Sequence, residues 1–377
     1  MPLPADAQLI SVDDHVIEHP KVWTDRLPQK YQAEGPRVIK NELGHDVWHL
    51  EGNLHVNIGL NAVAGRPKEE FGMEPCRYED MIDGCYDPAA RVRDMDLDGI
   101  QAQLCFPSFP GFAGTKFHQL KDKGLGLACV QAYNDWMIDE WCAAAPDRLI
   151  PLVMMPFWDP EQTAAEIRRT AAKGAKAITF PENPLPHGLP SFQGDFFNPV
   201  FEAAQETDMP LCMHFGSGGA PVTSTDGPFA VAIALYGTNS LFTTVELLFS
   251  PVFRNYPRLK VALSEGGIGW IPYVLERCDY TWDRHRHYQH LELKVPPSEM
   301  FRDHIFGCFI SDEAGLEALD RIGVDQVMWE CDYPHSDSNW PHARKMLAET
   351  LYNIGDDVAM KIAETNARRV FNFTGGR

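Results

Sequence analysis

Four short stretches of this chain offer imidazole or carboxylate groups where an apolar run ends: Asp13-Asp14-His15, His214-Phe215-Gly216, Ser264-Glu265-Gly266 and Asp332-Tyr333-Pro334-His335. An unpaired charge is expensive to bury, so ionisable groups at the exits of buried segments need a reason to be there. Histidine nitrogen and carboxylate oxygen together form a donor set that suits Zn, Mn or Fe(II). In Asp13-x-His15 the two-residue alternation of a strand turns both side chains to one side. Each piece alone has a plainer account, because a single His after a strand is more often a hydrogen-bonded structural residue. The weight lies in four such groups at equivalent places.

Other candidates stand nearby. Asp14 and Glu18 are close enough in sequence to orient His15, although Asp14 could equally be a cap or a solvated loop residue. His335 either faces a substrate or hydrogen-bonds within the Asp332-Tyr333-Pro334 turn. Glu182 follows another apolar run and is a pocket candidate. Phe215, Trp270, Tyr333 and Trp340 flank these motifs, as walls of an aromatic-tolerant pocket or as packing. The histidines of DRHRHYQH (283–290) lie in a charged stretch after a helix and read as a solvated face.

The elements that must position these groups alternate along the whole chain. Strands are expected at 8–12, 100–106, 149–156, 175–180, 209–214, 260–264, 305–311 and 326–331, largely apolar as strands buried on both faces are. Helices between them are punctuated by Asp87-Pro88 and Gly99, by Asp159-Pro160-Glu161-Gln162 and Gly174, and by Asn198-Pro199, with others over 124–145, 230–249 and 356–371. Eight such units define an α/β chain with a parallel sheet and predict a (β/α)₈ TIM barrel in a single domain over 1–377, with a doubly wound open sheet as the competitor. Insertions at 21–86, with a hairpin over 41–57, and at 217–257 leave strand C-terminal ends. They are expected as lids or walls of a pocket.

The chain has 377 residues and a net charge of −20, which disfavours nucleic acid and anionic lipid as partners. No apolar run is expected to cross a bilayer, and the N-terminus lacks the basic and apolar regions of a signal peptide, so a cytoplasmic address is the default. Nine dispersed cysteines without a CxxC pair read as reduced core residues.

The segments VDDHVIEHP (12–20), RVRDMDLDGI (91–100), PLCMHFGSG (210–218), KVALSEGGIGWIPYVLER (260–277), WECDYPHSDSNWP (329–341) and ETNARRVFNF (364–373) span almost the whole chain. In that order they resemble the amidohydrolase-related family that includes aminocarboxymuconate semialdehyde decarboxylase and γ-resorcylate-type decarboxylases. The resemblance implies a distorted TIM barrel with one divalent metal at the strand C-termini, zinc foremost, with Mn, Fe or a second metal open. It makes Asp13, His15, His214 and Asp332 the ligands and places Glu265 beside a metal-bound water or substrate. Two departures stand out: Asp13 where many relatives have His, and Glu265 where many have His on the sixth strand.

The reading that follows is a metal-dependent hydrolase acting on a small carbonyl compound. Bound water, acidified from about 15.7 toward about 7, would attack, with Asp332 accepting its proton and Glu265 and His335 beside it. Phe215, Trp340 and Glu182 are the candidate substrate contacts. The alternatives are non-oxidative decarboxylation of an aromatic or unsaturated carboxylate, O₂-dependent hydroxylation at a dinuclear Fe or Mn site, and a non-catalytic partner subunit. A small-molecule substrate and a homo-oligomer, a dimer by default, complete the expectation.

Overall fold

The computed structural model describes residues 3–57 and 59–376. All eight expected strands form: β1 (Leu9–Val16), β5 (Ile100–Pro107), β6 and β7 (Leu149–Ile150 and Leu152–Met154), β8 (Ala177–Thr179), β9 (Leu211–His214), β10 (Val261–Ser264), β11 (Ile305–Phe309) and β12 (Val327–Trp329). The third expected strand is divided at Pro151, which has no N–H to give to a ladder. Its carbonyl still accepts from Lys176 N–H at 2.9 Å. The remaining strands, β2 (Arg37–Lys40), β3 (Asp46–Leu50) and β4 (Asn53–Val56), form a separate antiparallel sheet. The expected hairpin is thus present, turning at Gly44 (φ 77°) and Gly52 (φ 78°). Arg37–Lys40 joins it as a third strand.

Two parallel sheets, β1-β5-β6 and β7-β8-β9-β10-β11-β12, keep neighbours in chain order. A doubly wound sheet would reverse that order at a switch point, and no reversal occurs among the described residues. The outer edges meet: Asp332 N–H donates to Asp13 O at 2.8 Å and Cys331 N–H to Ser11 Oγ at 2.8 Å. Alternation along the strands feeds two separate cores. Ile10, Val12, Ala102, Leu104, Cys212 and Met328 gather in one cluster, whereas Leu9, Ile100, Leu211 and Trp329 pack outward against the helices.

Local chemistry sets the helix starts. Asp87 Oδ1 accepts from Ala90 N–H at 2.6 Å to open Pro88–Asp98, and Gly99 closes it at φ 71°. Asp159 opens Pro160–Ala172 by accepting from Gln162 N–H at 3.1 Å. The helix expected over 124–145 is Lys123–Trp136 continued by a π turn, Met137–Trp141, and the one over 356–371 contains a π turn at Lys361–Thr365. The helix expected over 230–249 is two pieces, Phe229–Ala234 and Tyr236–Phe249. Together they correct the expectation that no segment could cross a bilayer: Phe229–Phe249, 21 residues, is long and apolar enough by length and composition alone. Its Thr, Ser, Asn and Gly residues break any continuous apolar run while the segment as a whole stays apolar. All nine cysteines are free and buried.

Arg91 fastens this scaffold under the strand-one exit. It is fully buried and donates to His15 O (2.5 Å), Gly84 O (2.8 Å) and Gln103 Oε1 (3.3 Å), with its guanidinium 4.4 Å from the Tyr333 ring centre. Replacing it by Met keeps bulk but orphans two buried carbonyls, each at about 1–3 kcal/mol. Arg91→Met is therefore expected to lower the unfolding free energy by about 2–5 kcal/mol, read as a lower urea midpoint at unchanged slope. A loss below about 0.5 kcal/mol would contradict this role.

Candidate metal centre

The exits of β1, β9, β10 and β12 converge. His15 Nε2 lies 3.4 Å from Asp13 Oδ1, 3.2 Å from Asp332 Oδ1 and 3.2 Å from His214 Nε2. His214 Nε2 in turn lies 3.5 Å from Asp13 Oδ2 and 3.6 Å from Glu265 Oε2. Asp13, His15 and His214 form one tight donor group, and His15, Glu265, Asp332 and His335 form a second that shares His15. Glu265 (φ 54°) and Asp332 (φ 59°) occupy left-handed backbone, which re-aims their side chains at the point where the strand ends. Such backbone costs of order 1–3 kcal/mol for a non-glycine residue and is held only by its surroundings.

Proton counting tests whether these residues suit a cation. His214 Nδ1 pairs with Phe215 O at 2.6 Å, so it carries the ring proton and leaves the Nε2 lone pair facing inward. Both oxygens of Asp13 and both of Asp332 are buried without a hydrogen-bond donor, as are His15 Nδ1 and His335 Nε2. His214 Nε2 thus faces Asp13 Oδ2 at 3.5 Å and Glu265 Oε2 at 3.6 Å, lone pair toward carboxylate, a repulsion that a positive charge among them relieves. Burial pushes the carboxyl pKa values of Asp13, Asp332 and Glu265 well up, with their neighbours' charges adding to Asp13 and Glu265. Burial also pulls His214 down to about 3 and His335 down to about 4, so both imidazoles are neutral and able to ligate. Separations near 3.2–3.5 Å are what donors about 2.0–2.2 Å from one ion would show. The donor set fits a divalent cation.

Surrounding groups fix these side chains. Asp14 points the other way, accepting from Gln103 Nε2 (3.1 Å) and Tyr333 N–H (3.0 Å), and burial raises it to about 8. Glu18 accepts from Ser108 N–H (2.8 Å) and Phe109 N–H (2.9 Å), so it anchors the loop after β5 and not His15. His335 sits between the turn and the cavity. Nδ1 lies 3.0 Å from Asp332 Oδ1 within the turn, and the ring stacks on His15 at 3.6 Å while lining the cavity. Glu330, absent from the sequence candidates, is a fully buried carboxylate that accepts from Glu265 N–H at 3.2 Å.

A cavity of about 350 Å³ opens over the centre, and its walls include Phe112, Phe215, Tyr236, Glu265, Asp332 and His335. Phe215 is thus a wall residue. Trp340 lies away from that cavity: its indole N–H donates to Asp94 O at 3.0 Å and its ring stands against Tyr333. Trp270 donates to Gly266 O at 2.8 Å. Glu182 sits behind the wall, its Oε1 accepting from Gly216 N–H (2.8 Å), Gly218 N–H (3.3 Å) and Asn239 Nδ2 (2.9 Å). Gly218 is needed there, because a Cβ would come within 2.7 Å of Asn183 and 2.8 Å of Glu182. Phe112, its ring centre 3.9 Å from that of His214 and tilted by 36°, and Tyr236 were not singled out from the sequence, since neither sits in a motif.

Residues 45–373 match the sequence profile of the amidohydrolase family, and the chain belongs to that family. Among known proteins it is similar to the γ-resorcylate decarboxylase of Rhizobium sp. strain MTP-10005, 25% identical over 307 residues, covering 76% of this chain and 87% of that one. It is also similar to the 2-amino-3-carboxymuconate-6-semialdehyde decarboxylase of Dictyostelium discoideum, 24% identical, covering 69% and 72%. Solved structures of the same fold include an amidohydrolase from Mycobacterium avium subsp. paratuberculosis K-10 (TM-score 0.73, 20% identity, 98% and 100% covered). Another is the 5-carboxyvanillate decarboxylase of Novosphingobium aromaticivorans, complexed with manganese (TM-score 0.69, 20% identity, 98% of each chain covered).

Two outcomes follow from the centre. Chelation is expected to lower the melting temperature, and Asp332→Asn to raise that of the metal-free protein by roughly 2–4 °C per kcal/mol of relieved repulsion. Scanning calorimetry of both forms checks it, and an unchanged or lower apo melting temperature in the variant would refute it. The second concerns Glu182, pushed by burial from the ordinary 4.5 up to about 7 against its hydrogen bonds from Asn239, Gly218 and Gly216. The native state then binds more protons than the unfolded chain between those values, so this carboxyl lowers stability as pH rises from about 4.5 to about 7. Glu182→Gln keeps the acceptor and removes the charge. Its melting temperature should match the parent's near pH 4.5 and exceed it increasingly up to pH 7, whereas parallel curves would contradict the assignment.

Proposed function

We propose that this chain is a metal-dependent non-oxidative decarboxylase of a small aromatic carboxylate, built on a closed (β/α)₈ barrel. One observation carries the reading: a histidine–carboxylate centre lies at the floor of an aromatic-walled cavity, in a chain similar over about three quarters of its length to decarboxylases. Strand order without reversal, and the contact of β12 with β1, support barrel closure. This reading is preferred to hydrolysis because both sequence relatives named above are decarboxylases. Manganese in the solved neighbour favours Mn over the zinc expected from the sequence.

Asp13, His15, His214 and Asp332 would hold the cation. When bound, it supplies Lewis-acid stabilisation of negative charge on substrate oxygen. The chain's own residues do the rest. Phe112, Phe215 and Tyr236 take the ring and keep water from it. Asp332, with His335 Nδ1 at 3.0 Å from its Oδ1, is the group that hands a proton to the ring carbon that bears the carboxylate. The bond to that carboxylate then breaks, its electrons return to the ring, and CO₂ leaves. Glu265, which as an anion would repel a carboxylate, is pushed by burial toward the neutral acid.

A second reading rests on charge. Asp13, Glu265, Glu330 and Asp332 are four carboxylates on one centre, more than one divalent ion neutralises, and two donor groups share His15. A dinuclear iron or manganese site with O₂ chemistry is the consequence of that count. Incubation of Mn-loaded protein with hydroxybenzoates in D₂O separates the two. Expected are equal amounts of CO₂ and arene, with one deuterium on the ring, and a drop of about 10²–10⁴-fold in Asp332→Asn. Two metals per chain with O₂ uptake would favour the dinuclear reading, and solvent oxygen in the product would restore hydrolysis.

A further inference from the structure

Lys116 is the one lysine or arginine lining the cavity among the described residues, where the carboxylates are Glu265, Asp332 and Asp337. It stands on the helical turn Thr115–His118, with its N–H donating to Pro110 O at 3.0 Å. Its ammonium is half-buried and makes no ion pair among the described residues. Glu18 feels the charge, but both its oxygens are engaged by the N–H groups of Ser108 and Phe109. The only aromatic contact of the ammonium among the described residues is loose, 5.5 Å from the Phe109 ring centre. Beside it, Ser108 Oγ is buried without a partner. Lys116, Ser108 and Asn61 line both the main cavity and a recess of about 40 Å³ that leads off it.

A half-buried cation without a direct ion pair is costly to keep, and an unpartnered hydroxyl beside it adds to that cost. Both costs vanish if an anion arrives. We propose that Lys116, with Ser108 and Asn61, forms an anion subsite on the cavity wall that takes a second carboxylate of the substrate, distinct from the one at the metal centre. The substrate class is then an aromatic dicarboxylate. The ammonium and the Ser108 hydroxyl donate charge-assisted hydrogen bonds to it. In a chain of net charge −20, with acidic groups on the same walls, this lysine is also what draws an anion inward.

What happens to the first carboxylate rests on the decarboxylase reading, but the subsite does not, so binding is measured apart from turnover. Isothermal titration of Mn-loaded protein compares benzoate with isophthalate and terephthalate. At least one dicarboxylate is expected to bind tenfold or more tighter than benzoate. Lys116→Met should erase that preference while leaving benzoate within about twofold, and Lys116→Arg should retain most of it. Ser108→Ala should weaken the dicarboxylate alone by a few-fold. The proposal is overturned if neither dicarboxylate is preferred, if none of the three acids binds, or if Lys116→Met keeps the preference. Absence of CO₂ from a tightly bound dicarboxylate would instead count against the decarboxylase reading alone.

Discussion

Like charges and lone pairs forced together at one buried point are the constraint on which this structure turns. Asp13, His15, His214 and Asp332 face one another at hydrogen-bond distances with too few protons to share. Nothing in the surrounding protein relieves that crowding, and much of it maintains it. Two non-glycine residues are held in left-handed backbone, Asp14 and Arg91 brace the first strand from behind, and the Phe215 carbonyl fixes the tautomer of His214. Stability is given up locally so that a cation finds its donors already assembled, as preorganised sites require.

Much of this was legible in the sequence for a simple reason. Asp13, His15, His214 and Asp332 each follow a short apolar run, and a parallel strand delivers its exit residues to one face whatever its neighbours are. The eight strands were legible for the same cause. What stayed hidden depended on tertiary approach. Arg91 looks like one charge among Arg93, Asp94 and Asp96 on a surface helix, yet it is buried because the Pro88–Asp98 helix packs that face on β1 and β5. Lys116 lies in a turn with no motif, and Glu330 reads as a strand residue until Glu265 N–H is seen to point at it. The π turns and the break at Leu235 are shifts of one residue in the backbone pattern, which hydrophobic periodicity does not resolve.

The family assignment fixes fold and site more firmly than reaction. The same donors could serve decarboxylation or dinuclear oxygen chemistry, and the residue that separates them is Glu265 with Glu330 behind it. These two carboxylates set the charge of the centre, and with it how many cations the centre can hold.

The insertion between the first strand and the first helix is tied to the barrel at several points and carries exposed apolar side chains between them. Ile17 N–H donates to Cys85 O at 2.9 Å, Tyr78 OH to Glu18 O at 2.6 Å, and Val63 and Ala64 N–H both to Pro334 O at 3.1 Å. Between these ties, Leu54 and Val56 are exposed, while Leu60 and Asn61 reach the cavity wall. Natural variation can therefore redraw the wall of the cavity without moving a ligand. Selection for new compounds should leave its mark in this segment, and drift in substrate range can outpace drift in chemistry.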